Sequence, residues 1–207
     1  ADIERPCRVP RDDREVRVGW ALAHVVEHTA VHVGQIQLTA QLWRQRQAGR
    51  MPRLLLVGSS IFEAWRDLPA QAPGFDIRNR AIGGTVTAQW LQTLADVVRD
   101  EQPDAVLFYC GSNDLNGAVP EAEIVANTLA CRGSLERVRP GCRFVYFGII
   151  KAPQKLGRWD AIDRVQAGIR AGLREQDLVI DTDPVFVVDG RPVESYYVED
   201  RLHLTAE

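Results

Sequence analysis

The sequence predicts a three-layer α/β/α sandwich with a parallel five-stranded sheet, and two observations carry that prediction. Five short apolar runs, rich in β-branched and aromatic residues, recur between residues 53 and 207. Helix-length segments separate most of them. Strands that are apolar throughout, with helices between, indicate a parallel sheet covered on both faces. Residues 53–58 are a short apolar run ending in Gly58, which suits a buried strand. Residues 75–81, 105–110 and 143–149 supply the second, third and fourth strands, and 178–182 a weaker fifth. The intervening helices are predicted at about 86–100, 121–138 and 158–175. Ligands in such folds bind beyond the carboxyl ends of the strands. Residues that directly follow an apolar run are therefore the candidates for chemistry.

The first 50 residues read differently and form a separate N-terminal extension, with the α/β domain spanning residues 51–207. Residues 1–13 are polar, hold two prolines and predict irregular structure. From 19 to 47 the spacing predicts one long helix. Leu22, Val26, Ala30, Val33, Ile36, Ala40 and Trp43 form a single apolar stripe, and Gly49 and Pro52 end it. Such a helix must bury its stripe on the α/β domain, on a second copy of the chain, or on helices outside this sequence; self-association through it is one expectation.

Composition excludes several functions. Of 207 residues, 45% are hydrophobic and 26% charged, with a net charge of -3. That fits a globular protein with a sizeable core and makes no electrostatic case for nucleic acid or an acidic membrane. No apolar run is long enough to span a membrane. The four cysteines, Cys7, Cys110, Cys131 and Cys142, have neither CxxC nor zinc-finger spacing and read as reduced thiols of a cytoplasmic protein. No secretory leader pattern is visible at the start.

Four segments carry the candidate chemistry. Gly58-Ser59-Ser60 stands where a strand gives way to a helix, which puts a hydroxyl at the open edge of the sheet beside helix N–H groups suited to an oxyanion. The bland alternative is that the serines only cap the helix. It is not the GxSxG elbow of ordinary α/β-hydrolases. In Asn79-Arg80-Ala81-Ile82-Gly83-Gly84-Thr85, paired glycines leave a backbone N–H uncovered, or simply make a turn. In Gly111-Ser112-Asn113-Asp114 the Asn113 amide can donate into the cleft, or Asn113 and Asp114 can cap a loop. Asp200 and His203, three apart, can share a carboxylate–imidazole hydrogen bond, or sit in a surface turn.

Taken together and in this order, the four blocks resemble the SGNH (GDSL-like) hydrolase family over residues 53–205. The resemblance implies a flavodoxin-like sheet and an acyl-ester hydrolase acting on a small-molecule or glycan ester. It implies Ser60 as nucleophile and a Ser60–His203–Asp200 triad. The oxyanion hole would comprise the N–H groups of Ser60 and Gly84 and the Asn113 side chain. No metal or organic cofactor is implied. Two departures stand out. Ser59 replaces the family's aspartate before the nucleophile, which adds a second candidate hydroxyl. Only four residues follow His203, where family members carry a further helix. That predicts a loosely held catalytic terminus and low or unstable activity.

His24, His28 and His32 recur every four residues on the N-terminal helix. With Gly34, Gln35 and Ile36 they resemble the last helix of the DinB-like four-helix bundles, in which three histidines hold a metal. The implied ligand pair is His28 and His32. One helix cannot bring three ligands to one ion, so no metal site is expected. The chain then reads as a slice of a longer polypeptide, or as an esterase beginning at Met51. The competing functions are a DinB-like metal-binding or thiol-handling protein and an SGNH-like domain that binds without hydrolysing.

Overall fold

The computed structural model describes residues 6–8, 15–17 and 49–205. The chain divides into two compact units, residues 1–44 and 45–207. In the first, β1 (Pro6–Arg8) pairs antiparallel with β2 (Glu15–Arg17). The irregular reading of residues 1–13 misses this ladder. Strands of three residues carry too few positions for an alternating pattern to show. The predicted helix over 19–47, with its three histidines, lies outside the described residues.

The second unit follows the predicted alternation. Its strands are β3 (Arg53–Gly58), β4 (Asp76–Asn79), β5 (Ala105–Tyr109), β6 (Arg143–Phe147) and β7 (Leu178–Ile180). They form one five-stranded sheet in the order β4-β3-β5-β6-β7, and every pairing is parallel. The chain first builds outward from β3 to β4, then returns to the other side of β3 with β5. That reversal leaves a crevice beyond the carboxyl ends of β3 and β5. Gly58 stands opposite Tyr109 there, and the Ser59 N–H donates to Tyr109 O at 3.0 Å as the strands part.

Helices α1 (Ser60–Ala64) and α2 (Leu68–Gln71) connect β3 to β4. Then come α3 (Thr87–Glu101), α4 (Ser112–Asn116), α5 (Glu121–Val138) and α6 (Trp159–Gly172). The long predicted helices match α3, α5 and α6 to within three residues at either end, as end-fraying leads one to expect. A short α7 (Asp183–Phe186) leads into a two-stranded hairpin, β8 (Val187–Val188) and β9 (Arg191–Pro192).

Alternation along each strand divides the core. Leu55, Val57, Val106, Phe108, Phe144 and Tyr146 face one side, where α3 brings Trp90, Leu94 and Val98, α5 brings Ile124, Cys131 and Leu135, and α6 brings Ile162, Val165 and Ile169. All are buried, and each large apolar side chain so placed contributes roughly 1.5–3 kcal/mol. Leu56 and Tyr109 face the other side, against Phe62 of α1, Ile150, Ala152 and Tyr197. All three long helices thus lie on one face. Among the described residues, short helices and the C-terminal segment cover the other.

Salt bridges tie the connections down. Arg132, on α5, is buried against Asp177 just before β7 at 2.7 Å. Lys151 sits between Asp163 and Asp183, both at 2.7 Å, which joins the end of β6 to α6 and α7. No helix among the described residues is long and apolar enough to cross a membrane.

Candidate active site

The four segments singled out in the sequence all emerge at the carboxyl edge of the sheet. Ser60 opens α1, directly after β3, and its Oγ lies 2.8 Å from Nε2 of His203. The other ring nitrogen, Nδ1, lies 2.6 Å from Oδ2 of Asp200. Three side chains separated by up to 143 positions therefore form one continuous hydrogen-bonded line. A carboxylate can only accept, so it holds the proton on Nδ1 and leaves Nε2 as the acceptor facing Ser60.

Asp200 is itself well supplied. Its Oδ1 accepts the backbone N–H groups of Leu202 and His203, both at 2.9 Å. These bonds, headed by that from the His203 ring, hold its carboxyl down at about 2. A depressed carboxylate keeps its charge above that value and loses it only as the pH falls through it. Protonation of Asp200 therefore plays no part in a weakly acidic or neutral reaction.

Ser59, the second candidate hydroxyl, is placed differently. It is 2% exposed and its side chain does not cap α1, so the capping alternative does not describe it. Its backbone extends the sheet ladder through Tyr109 and its carbonyl accepts Phe62 N and Glu63 N.

Gly84 follows β4 in a left-handed turn, φ +78°. An added Cβ there would meet nothing within 4 Å, so the backbone conformation, not space, calls for glycine. Among the described residues no acceptor is bonded to the N–H of Ser60 or of Gly84. Asn113, on α4, donates through Nδ2 to Thr85 O at 2.9 Å, which uses one amide proton and fixes the side chain's direction.

The sequence reading does not reveal the frame that holds these groups. Thr85 is its hub. The hydroxyl lies 2.9 Å from Gly58 O and 2.8 Å from Ile82 O, and it accepts Trp90 Nε1 at 3.0 Å. One residue thus ties the end of the nucleophile strand, the glycine turn and Asn113 together. Asn79 adds a bond from Nδ2 to Phe62 O at 2.6 Å. Asp114, 1% exposed, accepts the Thr87 N–H at 3.0 Å and the Thr87 hydroxyl at 2.6 Å. It caps α3 from a distant helix, so a capping role is expected from the sequence but its target is not. Asp114→Ala strands both donors of Thr87 in a buried place and is expected to cost about 2–4 kcal/mol. Urea unfolding monitored by far-UV circular dichroism measures this, and a loss under about 1 kcal/mol would show that Asp114 is not the cap.

The backbone closes a hydrogen-bonded frame around His203. Tyr197 bridges Leu204, Val198 N donates to His203 O at 2.9 Å, and Thr205 N donates to Tyr196 O at 2.9 Å. Gln154 N donates to Arg201 O at 3.0 Å from the neighbouring β6–α6 connection.

Comparison with known proteins agrees with this architecture. A GDSL-like lipase from Bacteroides thetaiotaomicron is 19% identical, with a TM-score of 0.61 over 81% of this chain and 89% of that one. A lipase/acylhydrolase from Enterococcus faecalis is 21% identical, with a TM-score of 0.59 over 75% and 88%. An acetyl esterase with an acetate ion is 17% identical, with a TM-score of 0.57 over 75% and 89%. At these identities the likeness is one of fold. No curated protein matches the sequence. The model of the GDSL-like lipase/acylhydrolase family matches residues 39–207. That match takes in all four blocks and most of the chain, and so this chain belongs to the GDSL-like lipase/acylhydrolase family, whose chemistry is the hydrolysis of ester-type bonds.

Proposed function

We propose that this chain is a serine hydrolase of acyl esters, with Ser60 as nucleophile, His203 as general base and acid, and Asp200 as the group that orients His203. The observation that carries this reading is the unbroken line Asp200–His203–Ser60, with contacts of 2.6 and 2.8 Å. His203 Nε2 takes the Ser60 proton as Oγ attacks the ester carbonyl carbon. The imidazolium so formed is stabilised by ionised Asp200. The carbonyl oxygen, now an anion, is held by the N–H groups of Ser60 and Gly84 and by the second amide proton of Asn113. His203 returns its proton to the leaving alcohol as the carbon–oxygen bond breaks. Water, deprotonated by the same imidazole, then releases the acid and restores Ser60. The substrate class is a small-molecule or glycan ester, and no cofactor takes part.

The test is hydrolysis of short- and long-chain p-nitrophenyl esters, with mass spectrometry of the protein after treatment with a fluorophosphonate. Turnover together with an adduct on Ser60 supports the reading. A wild-type protein that neither turns over nor labels is a binding domain, and the reading fails. Asn113→Ala is expected to lower kcat by about 10²–10³-fold with KM little changed, because the lost bond matters most once charge sits on the oxygen. An equal effect on KM alone would assign Asn113 to ground-state binding instead.

A further inference from the structure

Lys155 is a buried charge that the mechanism leaves unused. It lies in the turn of 3-10 helix Pro153–Arg158 that links β6 to α6 and is 0% exposed. Its Nζ donates to Ser112 O at 2.9 Å and to Asn116 Oδ1 at 2.6 Å. Among the described residues no carboxylate is paired with it. Both acceptors belong to α4, the helix that carries Asn113. Arg158, from the same turn, donates to Leu115 O. The turn also reaches the triad loop, through the bond from Gln154 N to Arg201 O. One short segment therefore braces the oxyanion helix and the histidine loop at once.

We propose that Lys155 is a positioning residue whose ammonium clamps α4 and so sets Asn113 for the reaction, which makes hydrolysis depend on Lys155 staying protonated. This rests on the reading of Ser60 and Asn113 given above. Burying an ammonium without a counter-charge costs free energy, which the two acceptors on α4 offset. Bonds from an ammonium are about twice as strong as those from a neutral amine. Burial, with the Arg158 charge adding to it, brings Lys155 down to about 8. The other titratable and charged groups on the elements packed against it are already committed. Asp114 is bonded to Thr87, Tyr109 to Ser112 and Ile150, Lys151 to Asp163 and Asp183, Asp200 to His203, His203 to Ser60, and Arg201 to Glu194. The signs separate positioning from unfolding. A lysine whose folded value lies below its unfolded one makes stability rise, not fall, between the two. Loss of rate above about pH 8 would then not be loss of fold.

The experiment is a pH–rate profile of p-nitrophenyl acetate hydrolysis for the wild type, Lys155→Met and Asn116→Asp, with the Asn113 side-chain amide followed by NMR over the same range. In the wild type kcat is expected to drop about 10-fold to a lower plateau, with a midpoint near pH 8 and KM unmoved. The Asn113 amide should titrate with the same midpoint. Asn116 is exposed, so Asn116→Asp keeps the fold; it places a carboxylate against Lys155 and should move the midpoint up by about 1 pH unit or more. Lys155→Met should lie about 10–100-fold below wild type with no step. An unchanged midpoint in Asn116→Asp, or an Asn113 amide that ignores pH, overturns the proposal even if Lys155→Met does not fold. An Asn113 amide that titrates in a protein with no esterase activity would sink the function proposed for Ser60 and leave the clamp standing.

Discussion

Ser60→Ala is expected to lower kcat for p-nitrophenyl acetate by about 10⁴–10⁶-fold, with KM nearly unchanged. The hydroxyl it removes is the atom on which His203 acts, at 2.8 Å, and no other described side chain donates to that nitrogen. The residual activity comes from stabilisation of the oxyanion by the N–H groups and Asn113, which accelerates attack by water only weakly. The fold should scarcely notice, since one partly exposed hydrogen bond contributes about 0.5–1.5 kcal/mol. Ser59→Ala is the control. Ser59 is 2% exposed with its backbone N–H bonded to Tyr109, and the variant should stay within about 10-fold of wild type. Activity that survives Ser60→Ala but not Ser59→Ala would move the nucleophile by one residue and overturn the assignment.

Gly58→Ala should cost more than about 3 kcal/mol, the largest stability loss expected of any single methyl group added at this edge. A Cβ at Gly58 would stand 1.9 Å from Tyr109 O and 2.6 Å from Tyr109 C. Both are backbone atoms of β5, which is paired on each side and cannot retreat. The residue also sits at φ +136°, where a side chain is strained regardless of room. Gly84→Ala provides the comparison. It shares the positive φ but has open space, so only the backbone conformation counts against it, about 1–2 kcal/mol. Guanidinium unfolding of the two variants side by side measures the difference. Should Gly58→Ala melt no earlier than Gly84→Ala, close packing is not the reason for glycine after this strand.

Much of this site is legible in the sequence because a parallel sheet has only one edge where chemistry collects. Residues 53–58 and 121–138 read to their observed limits, since Leu54, Leu55, Leu56 and Val57 leave no polar position and the helix is bounded by Pro120 and Pro140. Ser60, Gly84 and Asn113 stand out by their places beyond the apolar runs, Asp200 and His203 by their three-residue spacing, and all five by the resemblance that the four blocks carry together. The ladder of β1 and β2 does not, because pairing between three-residue strands leaves no local signature. Asp114 reads as a cap for its own neighbourhood. It caps α3 instead, and an acceptor cannot announce which distant donor it will meet. Lys155 lies in a polar stretch between Pro153 and Gly157, where nothing distinguishes a buried lysine from a solvated one.

The sequence alone determined the fold class, the alternation of its elements and the residue types gathered at one edge, because periodicity and turn chemistry are local properties of the chain. Tertiary structure decided the rest. Strand order, the placement of all three long helices on one face, and the hydrogen-bond partners of Thr85, Asp114 and Lys155 all depend on contacts between residues far apart in sequence. Such contacts form only once the core has closed, when burial makes an unpaired polar group costly and brings its partners within reach.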